Sequence, residues 1–164
     1  MKIYTTYSSS ETKKIGSELA RRVLEVRRRT LDVRHGALVL RQAQDKCALI
    51  FALTGDLGSG KTTFAQGFLR GLGVMKKVNS PTFVLMKRFM IRNKRFANAY
   101  HIDTYRLKKP KELLDLGLRE VLDDPKNIVL IEWAEKLKRY LPKDTVWVRF
   151  EHKKETERKL IVFK

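Results

Sequence analysis

The chain has a single cysteine, Cys47, so no internal disulfide can staple it. Cys47 stands at the head of an apolar run and reads as a small core residue rather than a reactive thiol. No run of about 18 apolar residues occurs, which excludes a membrane-spanning helix. The start, Met1-Lys2-Ile3-Tyr4-Thr5-Thr6-Tyr7, lacks the apolar core of a secretory signal. Acidic residues are scarce: 18 Asp and Glu stand against 36 Lys and Arg, a net charge of +18. Such a field favours polyanionic partners, nucleic acid first among them. A generally basic solvated surface would give the same number. What is present is enough for one domain: 164 residues, 43% of them hydrophobic, can bury a core. A cytoplasmic protein fits all of this.

The segment Gly55-Asp56-Leu57-Gly58-Ser59-Gly60-Lys61-Thr62-Thr63 is a complete P-loop, with Gly55, Gly60, Lys61 and Thr62 at the G-x-x-x-x-G-K-T positions. It follows the apolar run Ala48–Leu53 and opens a helical segment from Thr62 to Leu69. The order is therefore strand, glycine turn, helix. Glycines let backbone N–H groups converge on phosphate oxygens, and the helix adds its positive dipole end. Leu57, Gly58, Ser59, Gly60, Lys61, Thr62 and Thr63 are thereby ATP-binding candidates. Lys61 reaches the β- and γ-phosphates, and the Thr62 hydroxyl can ligate Mg²⁺.

Along the chain, residues 1–7 suit a short strand, and 10–29 reads as an amphipathic helix with Ile15, Leu19, Val23 and Val26 on one face. Residues 27–46 read as a basic insertion, partly disordered or a short hairpin. From Arg21 to Lys46 there are eight basic residues against three acidic ones. An RNA- or partner-binding arm and a neutral surface insertion both fit that composition. No aromatic residue is interleaved there for base stacking, and His35 reads as a surface histidine. Ser80-Pro81-Thr82 lies in a loop because Pro81 cannot sit inside a central strand. Its two hydroxyls, Ser80 and Thr82, suit a nucleotide-sensing switch or an ordinary turn. Phe89–Ile91 and Phe96–Ile102 are expected strands around the polar tip Arg92–Arg95, and Lys111–Val121 an expected helix. Asn127–Ile131 reads as a buried strand, Ala134–Leu141 as a short helix, and Thr145–Glu151 and Lys159–Phe163 as a final strand pair. The expected fold is α/β: a P-loop NTPase with a mostly parallel central sheet, antiparallel additions and helices on both faces.

A P-loop site needs a further group at a neighbouring strand end. Glu132 follows four apolar residues at the end of Ile128–Ile131, where Asp is usual. It could bind Mg²⁺ directly, bind it through water, or polarise the attacking water. Asp103 also ends a strand. It could orient water or a metal-bound water, or simply cap the turn Thr104–Leu107. Lys61, Asp103 and Glu132 are the catalytic candidates, and Thr62 and Glu132 the metal-binding ones.

These motifs together, with Asn79-Ser80-Pro81-Thr82-Phe83, Tyr100-His101-Ile102-Asp103-Thr104-Tyr105-Arg106-Leu107, Glu112-Leu113, Gly117-Leu118 and Ile131-Glu132-Trp133-Ala134-Glu135, resemble the TsaE (YjeE) family over residues 1–26 and 47–150. The basic segment near 27–46 departs from that pattern. The resemblance implies a weak ATPase that acts with the TsaB–TsaD complex, which transfers a threonylcarbamoyl group to adenosine 37 of ANN-decoding tRNAs. It implies Mg²⁺ on Thr62 and Glu132, phosphates on Lys61, and a catalytic or supporting Asp103. Ser80 and Thr82 would belong to a switch loop, and Trp133 would lie near the nucleotide or the partner. Ser9 to Thr12 would approach the adenine. Contact with tRNA would be indirect or through the basic surface. Two rivals stand beside this reading. One is a P-loop small-molecule kinase, although Leu122-Asp123-Asp124-Pro125 offers no arginine-bearing lid and only Arg106 could contact phosphate. The other is a nucleic-acid-binding module with a purely structural nucleotide site.

Overall fold

The computed structural model describes residues 1–25, 30–32, 39–41, 46–75, 85–154 and 156–164. The apolar run before the P-loop forms β4 (Leu49–Thr54), after β1 (Lys2–Thr6), α1 (Ser9–Glu25), β2 (Thr30–Asp32) and β3 (Val39–Arg41). The helix α2 (Lys61–Gly71) leaves the loop directly. Next come β5 (Met86–Met90), β6 (Asn98–Asp103), α3 (Lys111–Asp115), α4 (Leu118–Asp123), β7 (Asn127–Glu132), a 3₁₀ helix (Ala134–Tyr140), β8 (Val146–His152) and β9 (Arg158–Phe163).

Seven strands form one sheet in the order β1-β9-β8-β4-β7-β6-β5. The four central strands, β8, β4, β7 and β6, are mutually parallel, while β5, β9 and β1 add antiparallel pairings. The two innermost strands, β4 and β7, carry unbroken apolar runs because both of their faces are covered. Phe51, Leu53, Ile128 and Leu130 face the cluster built with Leu19 and Val23 of α1 and Phe64 and Phe68 of α2. Ile50, Ala52, Val129 and Ile131 face Leu113, Leu118, Leu122 and Leu137 on the other side. Phe64 meets Phe150 of β8 edge-on at 5.5 Å, and Phe68 meets Phe51 at 4.7 Å. Such ring pairs contribute about 0.5–1.5 kcal/mol each beyond area burial, and these two tie α2 to the sheet.

The start of α1 is set by its own residues. Ser8 Oγ accepts the Glu11 N–H at 3.1 Å, and Glu11 Oε2 reaches back to the Tyr7 N–H at 2.8 Å. The single helix expected over Lys111–Val121 is two short helices. Gly117 sits in the left-handed region at φ 81°, which ends α3 and restarts the chain as α4. The helix expected after Trp133 is 3₁₀ rather than α. Within the basic insertion, β2 and β3 pair antiparallel as a separate two-stranded sheet. Val26 and Arg27–Arg29, at the end of the expected first helix, lie outside the described residues, as does the Ser80–Thr82 switch segment.

Candidate active site

Strand order builds the site. Because β7 lies between β4 and β6 in parallel register, Leu53 pairs with Glu132 and Asp103 pairs with Glu132 across the two ladders. The P-loop and both strand-ending carboxylates therefore reach the same C-terminal edge of the sheet, where ligands bind in open α/β folds. Gly55 makes the first turn out of β4 at φ 134°, and a Cβ there would lie 2.3 Å from the Phe150 carbonyl oxygen, so only glycine fits.

A pocket of about 330 Å³ opens at this edge, lined by Leu57, Gly58, Gly60, Lys61, Thr62, Thr63, Asp103, Tyr105, Glu132 and Trp133. Lys61 Nζ donates to the carbonyls of Gly55 at 2.6 Å and Asp56 at 2.7 Å, and lies 3.4 Å from Ser59 Oγ. It also sits 3.8 Å from the centroid of the Trp133 ring. Burial pushes the Lys61 ammonium below the usual lysine range, with the Glu132 carboxylate pulling it back up.

Glu132 is the hub. The Thr62 hydroxyl donates to Glu132 Oε2 at 2.6 Å, and His101 Nε2 lies 2.7 Å from Oε1. Glu132 and His101 are both essentially without solvent exposure. Against an ionised carboxylate, Nε2 must carry the proton. Nδ1 of His101 is buried without a hydrogen-bond partner among the described residues. Asp103 is buried at the pocket wall, where its Oδ1 accepts the Tyr105 N–H at 2.9 Å. It therefore caps the following turn and faces the pocket at once. Lys136 Nζ and the Thr104 hydroxyl pin that turn to its neighbours: Lys136 donates to the carbonyls of Thr104, Tyr105 and Leu107, and Thr104 to those of Glu132 and Trp133. Trp133, at φ 58°, is one of two described non-glycine residues with positive φ, and its ring packs on Tyr105 at 5.1 Å.

Thr62 and Glu132 suit a hard divalent cation: both offer oxygen, one of them anionic, side by side at the pocket wall. No cluster of three or more His, Cys, Asp or Glu among the described residues could hold a metal. A cation here would draw its remaining ligands from phosphate and water, as Mg²⁺ does.

The expected site residues Leu57, Gly58, Gly60, Lys61, Thr62, Thr63, Asp103 and Glu132 converge on this pocket, and Trp133 joins them. Ser59 lies just behind, buried under Lys61. Ser9 is exposed at the start of α1 and does not line this pocket; Thr12 is the α1 residue that meets the loop, its Cγ2 within 3.7 Å of a Cβ built on Gly60. Ser80 and Thr82 lie outside the described residues. Sequence reasoning missed His101 as a site residue. Its signal was faint: a histidine two positions before a strand-ending carboxylate shares that carboxylate's face of the strand. Tyr105 was missed as the ring beneath Trp133.

The fold and the site define a P-loop nucleotide-binding protein of the α/β class. The profile of the family described as "Threonylcarbamoyl adenosine biosynthesis protein TsaE" matches residues 6–160. The chain belongs to the TsaE family. It is 38% identical over 116 residues to the tRNA threonylcarbamoyladenosine biosynthesis protein TsaE of Haemophilus influenzae, covering 71% of each chain. It is 38% identical over 111 residues to the TsaE protein of Bacillus subtilis, covering 68% of this chain and 66% of that one. It is also similar to the crystal structure of Bacillus subtilis YdiB, with a TM-score of 0.66 and 26% identity, over 96% of this chain and 81% of that one.

Proposed function

We propose that this chain is a cytoplasmic ATPase that binds and hydrolyses ATP with Mg²⁺ and acts with TsaB and TsaD in the threonylcarbamoyl modification of adenosine 37 in tRNAs reading ANN codons. The observation that carries the hydrolase reading is the linked set Thr62–Glu132–His101 at the strand edge beside the P-loop. A carboxylate with one oxygen on His101 and the other on the threonine that follows the P-loop lysine supports this reading, because P-loop enzymes hold Mg²⁺ between that hydroxyl and a strand-end carboxylate.

In this reading the P-loop N–H groups and Lys61 bind the phosphates, and Thr62 and Glu132 would hold Mg²⁺. Held there, the cation would supply neutralisation of phosphate charge. Asp103 orients the water whose oxygen attacks the γ-phosphorus. Trp133 over Tyr105 shapes the pocket wall beside Lys61. The mouth of the pocket is apolar and open: Leu57 is 74% exposed and Tyr105 46%. That rim supports a site completed by a partner protein, and weak turnover alone is then the expectation. Among the described residues, no helix is long and apolar enough to cross a membrane.

The test is Mg²⁺-dependent ATP hydrolysis by the purified chain, alone and with TsaB, TsaD and tRNA, alongside Glu132→Ala. Slow basal turnover that rises with the partners and falls about a hundredfold or more in the variant is the expected result. Partner-independent phosphate transfer to a small metabolite would overturn the proposal and make the protein a kinase.

A further inference from the structure

Between Leu57 and Ile102 the chain carries nine Lys and Arg and no Asp or Glu. Five of those nine (Lys87, Arg88, Arg92, Lys94 and Arg95) fall on β5 and the loop that joins it to β6. The loop is a firm presenting element. Ile91 and Phe96 are buried in the core cluster, the Ile91 N–H donates to the Ala97 carbonyl at 2.9 Å, and Asn93 Oδ1 accepts the N–H groups of Arg95 and Phe96 at 2.9 and 3.2 Å. Arg88 is aimed by a 2.9 Å hydrogen bond from Nε to Asn98 Oδ1, and Asn98 is itself held by Asn127. Arg88, Arg92 and Lys94 are exposed. No ion pair among the described residues uses Lys87, Arg88, Arg92 or Lys94; the ion pairs found there lie at the active site, along β8 and between Lys164 and Asp144.

The patch does not serve the nucleotide. Arg92 and Lys94 precede the start of β6, whereas Asp103 at the end of that strand lines the pocket, about 17 Å of strand away; Arg88 stands opposite Tyr100, midway along β6, and its guanidinium is drawn toward the strand's start by Asn98. Arg88, Arg92 and Lys94, exposed, held by an anchored hairpin and without an ion pair among the described residues, match a row of phosphates. The hairpin's rings are turned inward, Phe96 being 2% exposed and Phe89 half-buried against the core, so the match is to backbone rather than to unstacked bases.

We propose that the β5–β6 hairpin, through Arg88, Arg92 and Lys94, binds the phosphate backbone of double-helical RNA, as in the stems of a tRNA. The choice of RNA as the polyanion rests on the proposed role in tRNA modification; the pocket's chemistry plays no part in it. Recognition is by backbone and shape, with little dependence on base sequence.

The test is binding of a fluorescent RNA duplex by anisotropy, from 50 to 300 mM KCl, to the full chain and to two triple variants of equal net charge. One variant is Arg88→Gln, Arg92→Gln and Lys94→Gln. The control is Lys14→Gln, Arg21→Gln and Arg22→Gln, all exposed on α1. The hairpin variant should bind at least about tenfold more weakly at 100 mM KCl, with a log–log salt slope shallower by about two to three, while the control loses less than about threefold. Equal losses in both variants would overturn the proposal, because net charge alone would then explain binding. So would binding to single-stranded poly-A as tight as to the duplex, or binding to phosphatidylglycerol vesicles but not to RNA. Thermal melts and basal ATP hydrolysis, run on the same variants, separate this result from a folding defect and from failure of the ATPase reading.

Discussion

Replacing Gly67 with alanine should loosen the helix pair that holds the P-loop in place. Helices α1 and α2 approach closely enough that a Cβ on Gly67 would lie 2.1 Å from the Lys13 carbonyl oxygen and 2.6 Å from its Cα. The obstacle is backbone, which cannot swing aside as a long side chain can. Restoring an ordinary contact of about 3.4 Å requires the helices to part by roughly 1 Å, opening a core packed by Leu19, Phe64 and Phe68. Overpacking costs about 1–3 kcal/mol, a clash with immovable backbone falling in the upper part at about 2–3 kcal/mol, and alanine's better helix propensity returns about 1 kcal/mol. The net loss is about 1–2 kcal/mol, a fall in Tm of about 2–8 °C for a domain of this size. Gly16 faces the same interface, with the Phe64 carbonyl oxygen 2.5 Å from its virtual Cβ, so Gly16→Ala should behave alike. The assay is thermal unfolding by circular dichroism, with a urea titration for the free energy. A Tm at or above that of the parent chain in both variants would refute the close approach of α1 and α2. Because α2 begins at Lys61, the loosened variant should also bind ATP more weakly.

His101→Leu leaves Glu132 Oε1 without its donor, so kcat for ATP hydrolysis should fall about ten- to a hundredfold while ATP affinity stays within about twofold. His101→Gln, which can still donate, should recover part of the loss; equal affinity losses in both variants would make the residue merely structural. The Cys47 thiol is pushed above its usual range, first by burial and then by Asp144 and Asp123. Its labelling by a thiol reagent should therefore be slow in the folded chain, with a midpoint more alkaline than that of free cysteine, and fast after unfolding. The folded state holds this proton more tightly, so by linkage it contributes stability that is lost as pH rises through the thiol's range. A labelling profile matching free cysteine would contradict that burial.

The residues alone determined the elements that rest on local chemistry. The P-loop was legible because four fixed residue types sit between an apolar run and a helix, and the phosphate-binding geometry needs nothing from elsewhere in the chain. Glu132 was legible because four consecutive apolar residues, Ile128–Ile131, read as a strand buried on both faces, and a carboxylate at its end has few uses. The Gly117 break was misread because a helical pattern of leucines hides a single backbone reversal. Three features required the tertiary structure. Strand order decided that Asp103 and Glu132 stand side by side next to the loop, since β7 enters between β4 and β6 from far along the chain. Packing turned His101 from one residue of an alternating strand into a buried partner of Glu132, because its role depends on a residue 31 positions away. The hairpin fixed in place cations that already stand close in the sequence, because burial of Ile91 and Phe96 and the Asn93 hydrogen bonds anchor the turn that carries them.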